Sequence, residues 1–152
     1  MMTRYFFEDL EPGQFFELGT YTVTKAEIIE FANEFDPQPF HLDETAGKAS
    51  ILGGLAASGW HTASITMRLL ALGFLNNSSC QGSPGVDKLV WRKPVLAGDT
   101  LAVRMEITSA RLLKSRPGFG MINMALETRN QTGAVVMTYN NPAMFTLRGE
   151  AV

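Results

Sequence analysis

The segment Ser58-Gly59-Trp60-His61-Thr62-Ala63-Ser64-Ile65-Thr66-Met67-Arg68-Leu69-Leu70-Ala71-Leu72-Gly73-Phe74-Leu75 decides how the rest of the chain must fold. Ile65, Leu69, Leu72 and Leu75 fall at helical spacing, and Ala63 and Met67 fill the remaining sides, so the segment predicts one long helix that is apolar nearly all round. Such a helix is stable only when other elements cover it, and it therefore belongs in a core. The wider apolar run from Ile51 to Leu75 is broken by glycines, Ser58, His61 and Arg68, which argues against a membrane span.

Upstream, Glu11-Pro12-Gly13-Gln14 reads as a turn, and Phe15 to Val23 has the β-branched and aromatic content of a strand. Thr24-Lys25-Ala26-Glu27 has the Ser/Thr-x-x-Glu spacing of a capping box, so a helix is predicted to start there. Ile28, Ile29, Phe31, Ala32 and Phe35 form its apolar face, and Pro37 ends it. Asp36 to His41 is predicted to be a loop at the helix C-terminus. Asp43 or Thr45 opens another short helix, followed by the glycine-rich joint Leu52-Gly53-Gly54-Leu55.

Downstream, the pattern turns to strands. Asn76 to Gly85 is a polar loop, and Val86 to Trp91 resumes a strand-like alternation. Leu101, Val103, Met105 and Ile107 alternate with Ala102, Arg104, Glu106 and Thr108, the period of a half-buried strand. Phe119 to Thr128 and Ala134 to Leu147 are two more strands, joined by a turn at Asn130-Gln131-Thr132-Gly133. Pro142 cannot donate a ladder hydrogen bond and is expected at an edge or a bulge. One strand, a helical segment and then several long antiparallel strands make an α+β pattern.

The 152 residues suit a single domain spanning 1–152, with 45% hydrophobic and 18% charged residues as in ordinary globular chains. A net charge of −2 is too balanced for the broad positive field that non-specific nucleic-acid or anionic-membrane binding needs, so neither partner is expected. The single cysteine, Cys80, cannot close an intrachain disulfide. At the N-terminus, Glu8 and Asp9 arrive before an apolar run of signal-peptide length develops. A cytoplasmic protein is expected.

The chemistry-bearing candidates are few, because the chain has only two histidines, His41 and His61. His41 lies in Phe35-Asp36-Pro37-Gln38-Pro39-Phe40-His41-Leu42-Asp43, where two prolines stiffen the backbone between a carboxylate and an imidazole. Such a pair can take one proton from water and deliver another, provided both groups are fixed within reach of a substrate. The same residues also suit a turn-capping aspartate and a histidine in a polar niche, so spacing alone leaves both readings open. His61, inside the long helix, is read as a hydrogen-bonded core residue rather than a catalytic one. Histidine and cysteine are too sparse for a metal-ligand pattern, and no metal is expected.

Three segments together carry a resemblance: Phe31 to Asp43, then Gly53-Gly54-Leu55-Ala56-Ala57-Ser58-Gly59, then Lys93-Pro94-Val95-Leu96-Ala97-Gly98-Asp99-Thr100-Leu101. In this order they resemble the MaoC-like dehydratases and R-specific enoyl-CoA hydratases, over roughly Phe15 to Leu147. The resemblance implies a hotdog fold, an antiparallel sheet wrapped round the Ser58 to Leu75 helix. It also implies a homodimer or larger homo-oligomer. The implied activity, in fatty acid metabolism, is addition of water to a trans-2-enoyl-CoA thioester, or its removal from the R-3-hydroxyacyl-CoA product. Asp36 and His41 would act on the water, and the Gly59 N–H would bind the thioester carbonyl, with Ser58, Gln38 and Trp60 as further substrate-binding candidates. No resident cofactor is implied, since coenzyme A belongs to the substrate.

The physics agrees with that mapping. Water addition develops negative charge on the thioester oxygen, and a free N–H at a helix N-terminus offers a fixed partial positive charge there. Two departures from the family pattern stand out. Gln38 occupies a position that is usually Asn, and Met67 stands where some hydratases place a hydroxyl residue, with Ser64 or Thr66 as candidate substitutes. Phe35, Phe40, Trp60 and Trp91 are candidates for an acyl tunnel, and Arg92, Lys93, Arg111, Lys114 and Arg116 for coenzyme A phosphates, although both sets equally suit core and surface roles. Two alternative activities remain: a hotdog acyl-CoA thioesterase, whose water attacks C1 instead of C3, and a noncatalytic acyl-thioester binding protein.

Overall fold

A computed structural model describes residues 4–150; Met1 to Thr3, part of the stretch read against a signal peptide, lie outside the described residues. The first strand, β1 (Phe15–Thr22), leads into α1 (Lys25–Phe35). Thr24 caps α1 by accepting from the Glu27 N–H at 3.2 Å. The expected capping box closes differently: the Glu27 carboxylate accepts from the Thr24 hydroxyl at 2.9 Å and from the Tyr21 hydroxyl, so it ties the helix start to β1.

α1 stops at Asp36, and the next segment is not the irregular loop expected. Pro39–Leu42 forms one helical turn, α2, because Pro39 at its first position has the φ a helix needs and lacks only an N–H that would go unpaired there. Asp43 then caps α3 (Glu44–Ala49) by accepting from Ala46 N–H at 2.9 Å.

The long helix α4 runs over Gly59–Gly73 with Ser58 as its cap. Its buried side is Thr62, Ile65, Thr66, Leu69 and Leu70. The other side departs from the all-round burial expected: Trp60, Met67 and Leu72 are exposed, Leu72 by 61%. The reason is that the sheet packs on one side of the helix only, so these apolar side chains stay uncovered in one chain.

The remaining strands are β2 (Asp87–Trp91), β3 (Thr100–Leu112), β4 (Phe119–Arg129) and β5 (Val135–Thr146). They join β1 in one five-stranded antiparallel sheet of order β1-β3-β4-β5-β2. Along β3, Leu101, Val103, Met105 and Ile107 are buried, and Ile122, Met124 and Leu126 of β4 and Met137, Tyr139 and Phe145 of β5 continue the same core against Ile65, Leu70 and Phe74. Each large side chain so buried contributes roughly 1.5–3 kcal/mol. A helix lying in the curve of an antiparallel sheet is the hotdog architecture.

The β4–β5 turn forms where expected, with Gly133 at φ 83 and the Asn130 side chain accepting from the Thr132 and Ala134 N–H groups. Pro142 pairs in register with Asn123 without a bulge. β5 is an interior strand, but β2 covers it only from Met137 to Asn140, so Pro142 sits where that side of β5 has no ladder partner to lose.

Candidate active site

α1 and α2 meet α4 at one point. Asp36, the C-cap of α1, receives hydrogen bonds from Ser58 Oγ to Oδ2 at 2.7 Å and from Gln38 Nε2 to Oδ1 at 2.7 Å. His41 Nε2 lies 3.3 Å from Asp36 Oδ2. Pro37 and Pro39 bend the chain so that a carboxylate and an imidazole five positions apart face one another. Gln38, the departure from the family pattern, thus still holds the aspartate through its amide.

Burial raises the Asp36 carboxyl, but the Ser58 and Gln38 hydrogen bonds and the nearby His41 outweigh it, leaving the group below its ordinary value. The carboxylate is therefore ionised at neutral pH. His41 is buried, and its Nδ1 is 2.7 Å from the Ala56 carbonyl oxygen. A carbonyl only accepts, so Nδ1 carries a proton and Nε2 is the nitrogen presented to Asp36.

Beside this pair is a cavity of about 230 Å³ lined by His41, Ala56, Ala57, Gly59, Thr62 and Trp91, with Leu52 and the Arg92 to Val95 segment completing its wall. Asp36, Gln38 and Ser58 are not among the lining residues, and Asp36 meets the cavity wall through its contact with His41. Gly59 is the first residue of α4, and its N–H has no acceptor among the described residues. It is thus a free donor at a helix N-terminus, on a residue that lines the cavity. A side chain is excluded at Gly59 because a Cβ there would run into the Trp91 ring.

The other candidates separate. Trp60 is 60% exposed, rests edge-on against Trp91 at 5.1 Å, and is not among the cavity-lining residues. Phe40 packs edge-on against the His41 ring at 4.7 Å, whereas Phe35 is 68% exposed. Arg92 and Lys93 line the cavity; Arg111, Lys114 and Arg116 stand at the far β3–β4 hairpin. Met67 faces outward, Ser64 donates to the Trp60 carbonyl at 2.8 Å, and Thr66 pairs with Thr128 at 2.7 Å, both buried.

Sequence reasoning missed Thr62, a buried hydroxyl on the cavity wall. The signal was its place one turn beyond Gly59 on the same helix side. His61 is a core residue as expected, but not a hydrogen-bonded one: it stacks on Phe31 at 4.6 Å and 6°, and its Nδ1 is unpartnered. Burial lowers its pKa, against the opposing pull of Glu27. Among the described residues no group of three or more His, Cys, Asp or Glu side chains is arranged to hold a metal, and no helix is long and apolar enough to cross a membrane.

Comparison with known proteins places this geometry in context. The family model described as MaoC like domain matches residues 9–132. The uncharacterized protein YdeM of Bacillus subtilis (strain 168) is 32% identical over 120 residues, 78% of this chain and 83% of YdeM. The crystal structure of a MaoC-like dehydratase from Rhodospirillum rubrum is 41% identical and superposes with a TM-score of 0.89 over 97% of this chain and all of that one. An (R)-hydratase from A. caviae, described as involved in PHA biosynthesis, is 25% identical, with a TM-score of 0.72 over 92% of this chain and 98% of its own.

Proposed function

The chain belongs to the MaoC-like domain family, and on that footing we propose that it is a hydratase/dehydratase acting on acyl-CoA thioesters, adding water to a trans-2-enoyl-CoA to give the R-3-hydroxyacyl-CoA, or reversing that step. The observation that carries the reading is the 3.3 Å Asp36–His41 pair at a cavity lined by both His41 and Gly59, whose N–H has no acceptor among the described residues.

In the proposed cycle the thioester carbonyl accepts from the Gly59 N–H, which stabilises the enolate formed as water attacks C3. The cycle starts with Asp36 ionised and His41 protonated on both ring nitrogens. Asp36 takes a proton from the attacking water, and His41 delivers its Nε2 proton to C2. The proton held by Asp36 then passes to Nε2 across the gap between them and restores the starting pair. Water is consumed, no charge is left over, and no resident cofactor is called for. Arg92 and Lys93 at the cavity wall supply positive charge for the coenzyme A phosphates.

The same reading includes a homo-oligomer. β2 pairs only with β5 and so forms an edge of the sheet, and its Val90 and Trp91, on opposite faces of the strand, are still 41% and 44% exposed. An apolar, unpaired sheet edge of this kind is covered by a second copy, and light scattering should return at least twice the chain mass.

The test is a panel of enoyl-CoA substrates, from crotonyl-CoA to longer and branched relatives, given to the wild type and to Asp36→Asn and His41→Ala. Each variant should lose about 10²–10⁴ in kcat, the usual contribution of a positioned acid or base. Undiminished turnover in both would overturn the mechanism. Release of free thiol from saturated acyl-CoA would identify a thioesterase instead, and tight binding without any turnover a binding protein.

A further inference from the structure

The peptide linking Gly59 to Trp60 is held at both of its polar atoms. Its carbonyl accepts from Trp91 Nε1–H at 2.9 Å. Its N–H donates to Ser58 Oγ at 3.3 Å, and the same hydroxyl donates to Asp36. The preceding peptide, which carries the Gly59 N–H, is anchored through Ser58 O, the acceptor for His61 and Thr62 N–H at 2.9 and 3.1 Å. What remains free between the two planes is rotation about a glycine, the residue with the widest backbone range. The indole of Trp91 removes that freedom, both by its hydrogen bond and by lying against the Gly59 Cα where no side chain fits.

The indole is itself fixed. Trp91 ends β2, the next two N–H groups donate to Val136 O, and Trp60 buttresses the ring edge-on. The tie therefore runs from the sheet, through one side chain, to the tip of α4. An aromatic ring used only for packing would need neither the hydrogen bond nor the glycine beneath it.

We propose that Trp91 is a positioning residue: its indole N–H, acting through the Gly59 carbonyl, holds the Gly59 N–H in the direction a thioester oxygen requires. This rests on the hydratase reading above. A donor aimed in advance acts where charge develops in the transition state, so its misalignment lowers kcat more than it weakens substrate binding.

The experiment compares Trp91→Phe, Ser58→Ala and the double variant, with thermal midpoints as the check on folding. Trp91→Phe keeps a ring but removes the N–H; kcat should fall about tenfold, less than the loss of a whole oxyanion donor, while KM stays within about twofold. Because both side chains hold one peptide, the double variant should lose less than the product of the single losses. Wild-type kcat in Trp91→Phe, a loss carried by KM alone, or a multiplicative double variant would overturn the proposal. Amide hydrogen exchange at Trp60 gives a readout independent of turnover and should quicken in Trp91→Phe. A wild type that hydrates no enoyl thioester sinks the functional reading alone, and unchanged Trp60 exchange sinks the tie whatever the activity.

Discussion

Ser58 Oγ donates to Asp36 Oδ2 at 2.7 Å, so the residue that caps the central helix also holds the carboxylate at the end of α1. One hydroxyl thereby joins the acid/base pair to the helix tip, and the consequences can be measured.

Ser58→Ala removes a hydrogen bond that favours the charged form of Asp36, so the aspartate pKa rises and the acid limb of the kcat/KM profile moves to higher pH. Because the folded-state pKa is depressed in the wild type, Asp36 contributes stability above the ordinary carboxylate range, and that contribution is lost as pH falls through the folded value. Loss of the cap costs about 1 kcal/mol in addition. An acid limb that does not move would show that Ser58 leaves the carboxylate unaffected.

Gly59→Ala places a methyl group inside the Trp91 ring. Either the ring or the helix tip must shift, at a cost of about 1–3 kcal/mol for overpacking. Tryptophan fluorescence should change together with a fall in kcat. A variant with wild-type emission and stability would contradict the packing described.

Thr66 and Thr128 share a 2.7 Å hydrogen bond with both residues fully buried. Thr66→Val alone strands the Thr128 hydroxyl and should cost about 1–3 kcal/mol in chemical denaturation, whereas the double valine variant should recover much of it. Additive losses would mean that the two hydroxyls have other partners.

His61 is buried against Phe31 with its pKa lowered from the ordinary value of 6.5. The unfolded chain therefore binds a proton first, and stability contributed by the neutral ring falls as pH drops below about 6.5. Thermal midpoints of His61→Phe should be less sensitive to pH between neutrality and about pH 5 than those of the wild type. Parallel curves would assign that sensitivity to another group.

Much of the fold was legible along the chain because its signals are local. The alternation in Leu101 to Ile107, the Asn130 to Gly133 turn and the Thr24 cap each depend on neighbours a few positions away, and each forms as the pattern predicts. Membership of Asp36, His41 and Gly59 in one group came from three motifs read together, since no local pattern brings α1, α2 and α4 to one point. The one-turn helix at His41 was missed because Pro37 and Pro39 give opposite cues, one ending a helix and the other starting one.

By itself, then, the sequence determined the order and period of the elements and the chemical types available for proton transfer. Only the tertiary structure decided which hydroxyl supports Asp36, that Trp91 covers Gly59 while Trp60 faces outward, that Thr62 lines the cavity and that His61 stacks instead of hydrogen-bonding. The reason is physical: periodicity follows from backbone geometry within one element, whereas a side chain's partner depends on where distant elements close against it.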